Sequence, residues 1–164
     1  MAETWMHCNI LGANRMSDTT THRPGLILPF LRPLYSTLNE SAETLLRIVA
    51  GGLLVTHGYG KIMNPFGAVG MVEGLGFYPG VFWSPLLAAT EFFGGILVAI
   101  GLFTRPAAFA SAIVLAVTIY FHGIVKMEGL GGAEKSILWT AIMLYFAVRG
   151  SNSQSVDARI GRQF

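Results

Sequence analysis

The stretch "HGYGK", residues 57–61, sets an imidazole and an ammonium four residues apart inside an apolar run that begins "LLRIVAGGLLVT" at Leu45. On a helix that spacing puts His57 and Lys61 on one face, a single turn apart. Three more ionisable residues stand in apolar surroundings: Glu91 in "ATEFFGG", His122 in "TIYFHG" and Glu134 in "GGAEKS". Gathered in one water-poor place, such groups can exchange protons, hydrogen-bond the carbonyls of a small molecule and neutralise one another. On this basis Glu91, His57 and His122 are the candidate catalytic residues, and Lys61, Glu134, Tyr59 and Tyr120 the candidate ligand-binding ones. The competing reading is structural, because polar side chains also tie helices together inside membranes.

The composition says what kind of element must carry these groups. Hydrophobic residues make up 52% of the 164 and charged residues only 12%, about half the charged share of a typical soluble domain. The mean hydropathy is +0.55, which points to a bilayer. A net charge of +2 with no basic cluster interleaved with aromatics argues against nucleic acid. The single cysteine, Cys8, excludes an intramolecular disulfide, a dithiol pair or a cysteine metal cage within one chain. Residues 1–25 are polar and lack the apolar middle of a secretory signal, so insertion is expected to begin at the first hydrophobic helix, which stays in place.

Four apolar segments follow, at about Ala42 to Met63, Trp83 to Phe103, Pro106 to Val125 and Ala133 to Val148. A span takes roughly 20 residues at about 1.5 Å of rise each, so three qualify easily and the last is short. The period-2 alternation of a barrel is missing, so the fold class expected is all-α, an integral membrane four-helix bundle over residues 41–150. Residues 1–25 are expected to be a disordered tail, 26–40, broken by Pro29 and Pro33, a segment on the membrane surface, and 151–164 a cytoplasmic tail. With four spans all the arginines fall on one side and Lys61, Lys126 and Lys135 on the other, which puts both termini in the cytoplasm. Arg47 and Arg105 then read as headgroup anchors. The ionisable residues fall in the outer half, with Glu91 about 12 Å below its helix end. Ser111, Thr118 and His122 make one polar stripe, Glu134 aligns with Tyr145, and Gly94 and Gly95 allow a neighbouring helix to approach beside Glu91. A polar chamber open to the outer face accounts for all of these, with Lys61 and Glu91 as a natural ion pair.

At these residues the chain resembles the DoxX family of small bacterial membrane proteins. The resemblance rests on "LLRIVAGGLLVTHGYGKIMNP", "GLGFYPG", "EFFGGILVAIGLFTRPAA", "SAIVLAVTIYFHG" and "AEKSILW". It covers roughly residues 40 to 150 and leaves out the polar stretch before Leu26. It implies a multi-pass protein of the bacterial inner membrane, related to the DoxD subunit of thiosulfate:quinone oxidoreductase.

The function expected is a membrane component of an oxidoreductase system that passes electrons to quinone. His57 and His122 could hydrogen-bond a ring carbonyl, Glu91 could exchange a proton, and Tyr59, Phe92, Phe93, Tyr120 and Phe121 could supply aromatic surface. The expected partners are the lipid bilayer, a partner oxidoreductase subunit as electron source, and a second copy of the chain. Haem, with His57 and His122 as axial ligands, is disfavoured because both lie near the membrane surface, and no spaced ligand cluster suggests zinc. The other classes of function are a non-catalytic anchor for a partner enzyme and a small-molecule transporter. The outer-half placement of the polar groups argues against a path to both faces. "GLGFYPG" reads as an ordinary turn in preference to a lid over the chamber.

Overall fold

The computed structural model describes residues 29–161. The chain divides into two compact units, Met1–Tyr35 and Ser36–Phe164. The first holds a 3-10 turn at Pro29–Leu31 and the first four residues of helix α1, Arg32–Met63, whose remaining residues belong to the second; the expected tail 1–25 lies outside the described residues. Among the described residues every regular element is helical: α1 is followed by α2 (Val69–Gly74), α3 (Gly80–Ile100), α4 (Thr104–Val125), α5 (Gly129–Arg149) and α6 (Val156–Ile160). The expected surface segment 26–40 is, from Arg32 onward, the beginning of α1. Pro33 falls in the first turn of that helix, where a missing N–H breaks no intrahelical bond, so it starts the helix and does not interrupt it.

Of the four long helices, α3 and α4 are long and apolar enough to cross a membrane. Neither is uniformly α-helical. A π-turn at Thr90–Gly94 interrupts α3, and another at Phe121–Val125 ends α4. The first contains Glu91 and the second His122. A π-turn inserts one extra residue into the helical repeat, shifting the face presented by everything after it, and such turns recur at functional sites.

Small residues set the spacing of the helices. A Cβ on Gly51 would lie 2.6 Å from the Gly95 carbonyl oxygen and 2.7 Å from the Ala99 nitrogen, so α1 and α3 meet backbone to backbone. Gly58, two turns on, lies against Phe92 and Glu91 in the same way. On the other side of α3, Gly94 lies against Ser111 of α4. Helix α4 packs most extensively on α5, and Ala50, Leu54, Val98, Ala108, Met143 and Phe146 join the four long helices in one buried core. The outside is correspondingly apolar: Phe93, Phe109, Leu138 and Val148 are exposed, whereas Arg47, Glu91 and Asp157 are buried. That inversion of the usual distribution suits a protein whose surroundings are hydrocarbon.

The segment after α5, expected to be a tail, folds back onto the end of the molecule where α3 turns into α4. Asp157, 1% exposed, accepts hydrogen bonds from the Phe103 and Thr104 backbone nitrogens at 2.9 and 3.1 Å and from Thr104 Oγ1 at 3.0 Å. It thus caps the N-terminus of α4, which has no side-chain cap of its own, from more than fifty residues away. Ser155 caps α6 by accepting from the Ala158 nitrogen at 3.1 Å. Arg47, expected to anchor headgroups, is instead 2% exposed and donates to the Gln154 carbonyl at 3.1 Å. Gly101 makes the enclosure possible, since its φ of +74° is left-handed and any Cβ there would run into the Arg47 guanidinium. Arg105 stays exposed, donating to the Arg149 carbonyl at 3.4 Å.

Candidate functional site

At the opposite end, α1, α3, α4 and α5 enclose a cavity of about 390 Å³. Helix α1 contributes His57 and Lys61 to its wall, α3 contributes Glu91, and α4 contributes Thr118 and His122. From α5 come Lys135, Ser136 and Trp139, and from the loop before it Glu128. The stretch "GLGFYPG" contributes nothing to the lining. It is held elsewhere, on the start of α3, where Glu73 Oε1 accepts from the Gly80 nitrogen at 3.0 Å.

Glu91 is the most deeply placed charge in this wall, at 4% exposure. Its Oε1 takes the Lys61 ammonium at 2.5 Å, the ion pair that the sequence spacing pointed to. Its Oε2 is buried with no hydrogen-bond partner. Leaving a carboxylate oxygen buried and unpaired costs several kcal/mol in general, which sets this carboxylate apart from the other groups of the wall. The position follows from local packing. Gly58 lets α1 close on the π-turn carrying Glu91, and Gly94 lets α4 close from the other side, so the carboxylate is gripped at the closest approaches of two helices. Lys61 is 38% exposed along its side chain, so the pair joins a buried carboxylate to a partly exposed cation.

His57 meets Trp139 edge to face, ring centroids 4.9 Å apart, which fixes the imidazole at the boundary of the cavity. His122 Nδ1 lies 2.7 Å from Glu128 Oε2. Lys126 stands 3.7 Å from the other oxygen of Glu128. The His122 hydrogen bond, helped by the positive charge of Lys126, holds the Glu128 carboxyl below its ordinary value of 4.5. A carboxylate with a lowered folded pKa stabilises the fold above its unfolded value and loses that contribution as pH falls through the folded one. Wild type is therefore expected to unfold more easily as pH drops below about 4.5. In Glu128→Gln that part of the acid dependence should vanish, the difference between the two proteins closing in acid. Thermal unfolding across a pH series measures it, and a difference independent of pH would contradict the pairing.

Three residues expected at the site lie outside the cavity lining. Glu134 is exposed. Tyr59 and Tyr120 are 58% and 50% exposed. The expected alignment of Glu134 with Tyr145 is real, since both are on one face of α5, but that face is the exposed one. Ser111 is buried under α3 and does not reach the cavity, so the stripe expected on α4 is divided between helix packing and the cavity wall. The residues that sequence reasoning passed over are Glu128, Lys135, Ser136 and Trp139. Lys135 and Trp139, four apart in "EKSILW", carry the same one-turn spacing that drew attention to His57 and Lys61.

Comparison with known proteins adds an independent line. The family profile for DoxX matches residues 42–124, a span from within α1 to the π-turn that carries His122. A Haemophilus influenzae protein named "Uncharacterized protein" is 29% identical over 121 residues, covering 68% of this chain and 85% of its own. The Escherichia coli "Inner membrane protein YqjF" is 28% identical over 130 residues, 77% and 98% of the two chains. The Bacillus subtilis "Putative oxidoreductase CatD" is 30% identical over 123 residues, 73% and 90%. No solved structure gives a significant match. With the profile spanning His57, Lys61, Glu91 and His122, and the relatives matched over most of their length, this chain belongs to the DoxX family of membrane proteins.

Proposed function

We propose that the protein is a four-helix component of the bacterial inner membrane, with both termini in the cytoplasm, and that its cavity receives the headgroup of a quinone to which an oxidoreductase system delivers electrons. The observation that carries this reading is the buried Glu91 carboxylate, with one oxygen on Lys61 and the other without a partner, in the wall of a polar cavity. The Bacillus relative named as an oxidoreductase is in keeping with it. For the membrane topology the support is the apolar exterior, two helices able to span, and Arg47, Arg105, Arg149 and Arg159 gathered toward the end where α6 docks. Helix α1, 32 residues long and so about 48 Å, exceeds the hydrocarbon thickness of about 30 Å, and its first turns extend beyond the bilayer.

The donor set suits a quinone. Ring carbonyls need hydrogen-bond donors, which His57, His122 and Lys135 provide, and a hydroxyl needs an acceptor, which the Glu91 carboxylate provides. Trp139 offers a flat wall. The bound quinone supplies acceptance of two electrons and two protons. The electrons come from a partner subunit or a directly bound donor, and the chain's own part is to orient the ring and pass protons. Lys61 is the proton relay, since its ammonium touches Glu91 and also borders a second, smaller cavity with Asn64 and Ser84. Protons taken from Glu91 are thus replaced from water by way of Lys61.

Titration of the protein in nanodiscs with a tail-less benzoquinone tests the reading. Saturable binding is expected, weakened about tenfold in His57→Ala or His122→Ala, the equivalent of one lost hydrogen bond each. Absence of saturable binding in wild type would sink it.

A further inference from the structure

The polar cavity does not end at its polar wall. His57, Lys135 and Trp139 also line a second cavity, of about 370 Å³, which runs down the outside of α1 and α5. Beyond those three shared residues its lining is hydrocarbon throughout: Leu46, Val49, Ala50, Leu53, Leu138 and Ile142. Ala50 forms the floor at 2% exposure, and Val49, Leu53 and Leu138 form rims that are 48%, 47% and 64% exposed. Leu46 to Leu53 is seven residues, so the groove is roughly 10 Å long and parallel to α1. It lies in the apolar exterior described above, where the surroundings are lipid.

We infer that this groove holds the hydrocarbon tail of the same molecule whose polar head occupies the cavity, and that the ligand enters sideways from the bilayer between α1 and α5. The inference rests on the quinone reading of the cavity and adds the class of ligand, an amphiphile with a flat polar head and a long apolar chain. Continuity is the argument. The edge-to-face pair of His57 and Trp139 stands where the two cavities join, so a molecule lying across it has hydrogen-bonding groups on one side and aliphatic side chains on the other. Another apolar cavity, about 290 Å³ between Val72, Leu86 and Ile113, shares no residue with the polar one. It therefore serves as an internal control.

The physics of the bilayer decides what the groove contributes. A tail leaving lipid for Leu and Val side chains gains little, because lipid chains are as apolar as those residues. The groove instead restricts where the tail can lie and so fixes the orientation of the head over Glu91. Filling it is therefore expected to act by exclusion. Leu138→Trp, at an exposed rim position, should weaken binding of a decyl-tailed benzoquinone about tenfold, the scale of one overpacked contact, and leave the tail-less benzoquinone unchanged.

A decyl-tailed benzoquinone with a photoreactive diazirine on its tail, added to the protein in nanodiscs and mapped by mass spectrometry, tests this. The expected result is labelling of Leu46–Leu53 and Leu138–Ile142, suppressed by unlabelled decylbenzoquinone and reduced in Leu138→Trp. Suppressible labelling at Val72, Leu86 and Ile113, or equal binding of the tailed probe to wild type and Leu138→Trp, would overturn the groove while leaving the headgroup reading standing. No suppressible labelling together with no binding of tail-less benzoquinone would overturn both.

Discussion

Glu91→Gln is expected to lower quinone-linked turnover a hundredfold to ten-thousandfold, about the usual worth of a positioned proton-transfer group, while the protein still inserts and elutes as one species. The substitution keeps shape and volume, and the Gln carbonyl oxygen can still accept from Lys61, so the hydrogen bond between α1 and α3 survives. What is lost is the exchangeable proton. A merely structural Glu91 would respond differently, because Gln keeps the hydrogen bond to Lys61, and a lysine whose side chain is 38% exposed does not need a charged partner, so the scaffold and turnover would both hold. Reduction of decylbenzoquinone by native membranes containing the variant is the readout. Wild-type turnover in Glu91→Gln would remove the carboxylate from the mechanism.

Gly51→Ala is expected to destabilise the protein by about 2 kcal/mol, and Gly51→Leu to prevent α1 and α3 from packing at all. A Cβ at Gly51 meets the backbone of Gly95 and Ala99 at 2.6 and 2.7 Å, and backbone atoms within two packed helices cannot swing aside as a side-chain tip can. The neighbouring Gly52 is the control. Nothing lies within 4 Å of a Cβ there, so Gly52→Ala should be neutral or slightly stabilising through helix propensity. Thermal unfolding in detergent compares the pair. Equal effects at 51 and 52 would mean that α1 faces α3 through some other surface. The consequence reaches the site, because Gly58, two turns beyond Gly51, brings α1 against the Glu91 backbone, so loss of this interface also moves the carboxylate.

Much of the site is legible in the sequence because an ionisable residue in an apolar run is rare enough to stand out, and helical spacing then gives its face. His57, Lys61, Glu91 and His122 stand out in this way and line one cavity. Glu134 carries the same signal and lies outside that lining. In "GGAEKS" three small residues, a carboxylate, an ammonium and a hydroxyl follow one another, and which of them turns inward depends on how α5 packs on α4. The buried residues Ala133, Ser136, Met143 and Phe146 define that inward stripe, and Glu134 sits about 100° of helical rotation from Ala133, on the outside. The π-turns could not be read either, since their extra residue leaves no mark in the hydrophobic period.

The C-terminal segment shows a different limit. "SNSQSVDARI" looks like a polar tail because the contacts that dock it are with residues far away in sequence. Asp157 is anchored by Phe103 and Thr104, and Arg47 by Gln154. Only the local N-cap, Ser155 to Ala158, left a sequence sign. The matched profile ends before α5, so neither the docking of α6 nor the α5 wall of the cavity falls within it, although "AEKSILW" of the resemblance lies on that wall.

Occupancy of the cavity around Glu91 by a quinone is read from an oxidised-minus-reduced absorbance difference spectrum of the protein purified in mild detergent with its native lipids, recorded beside Glu91→Gln. A quinone signal at near-stoichiometric level is expected in wild type, diminished in the variant. A signal of equal size in both proteins, or none in wild type even after added quinone, would contradict that occupancy.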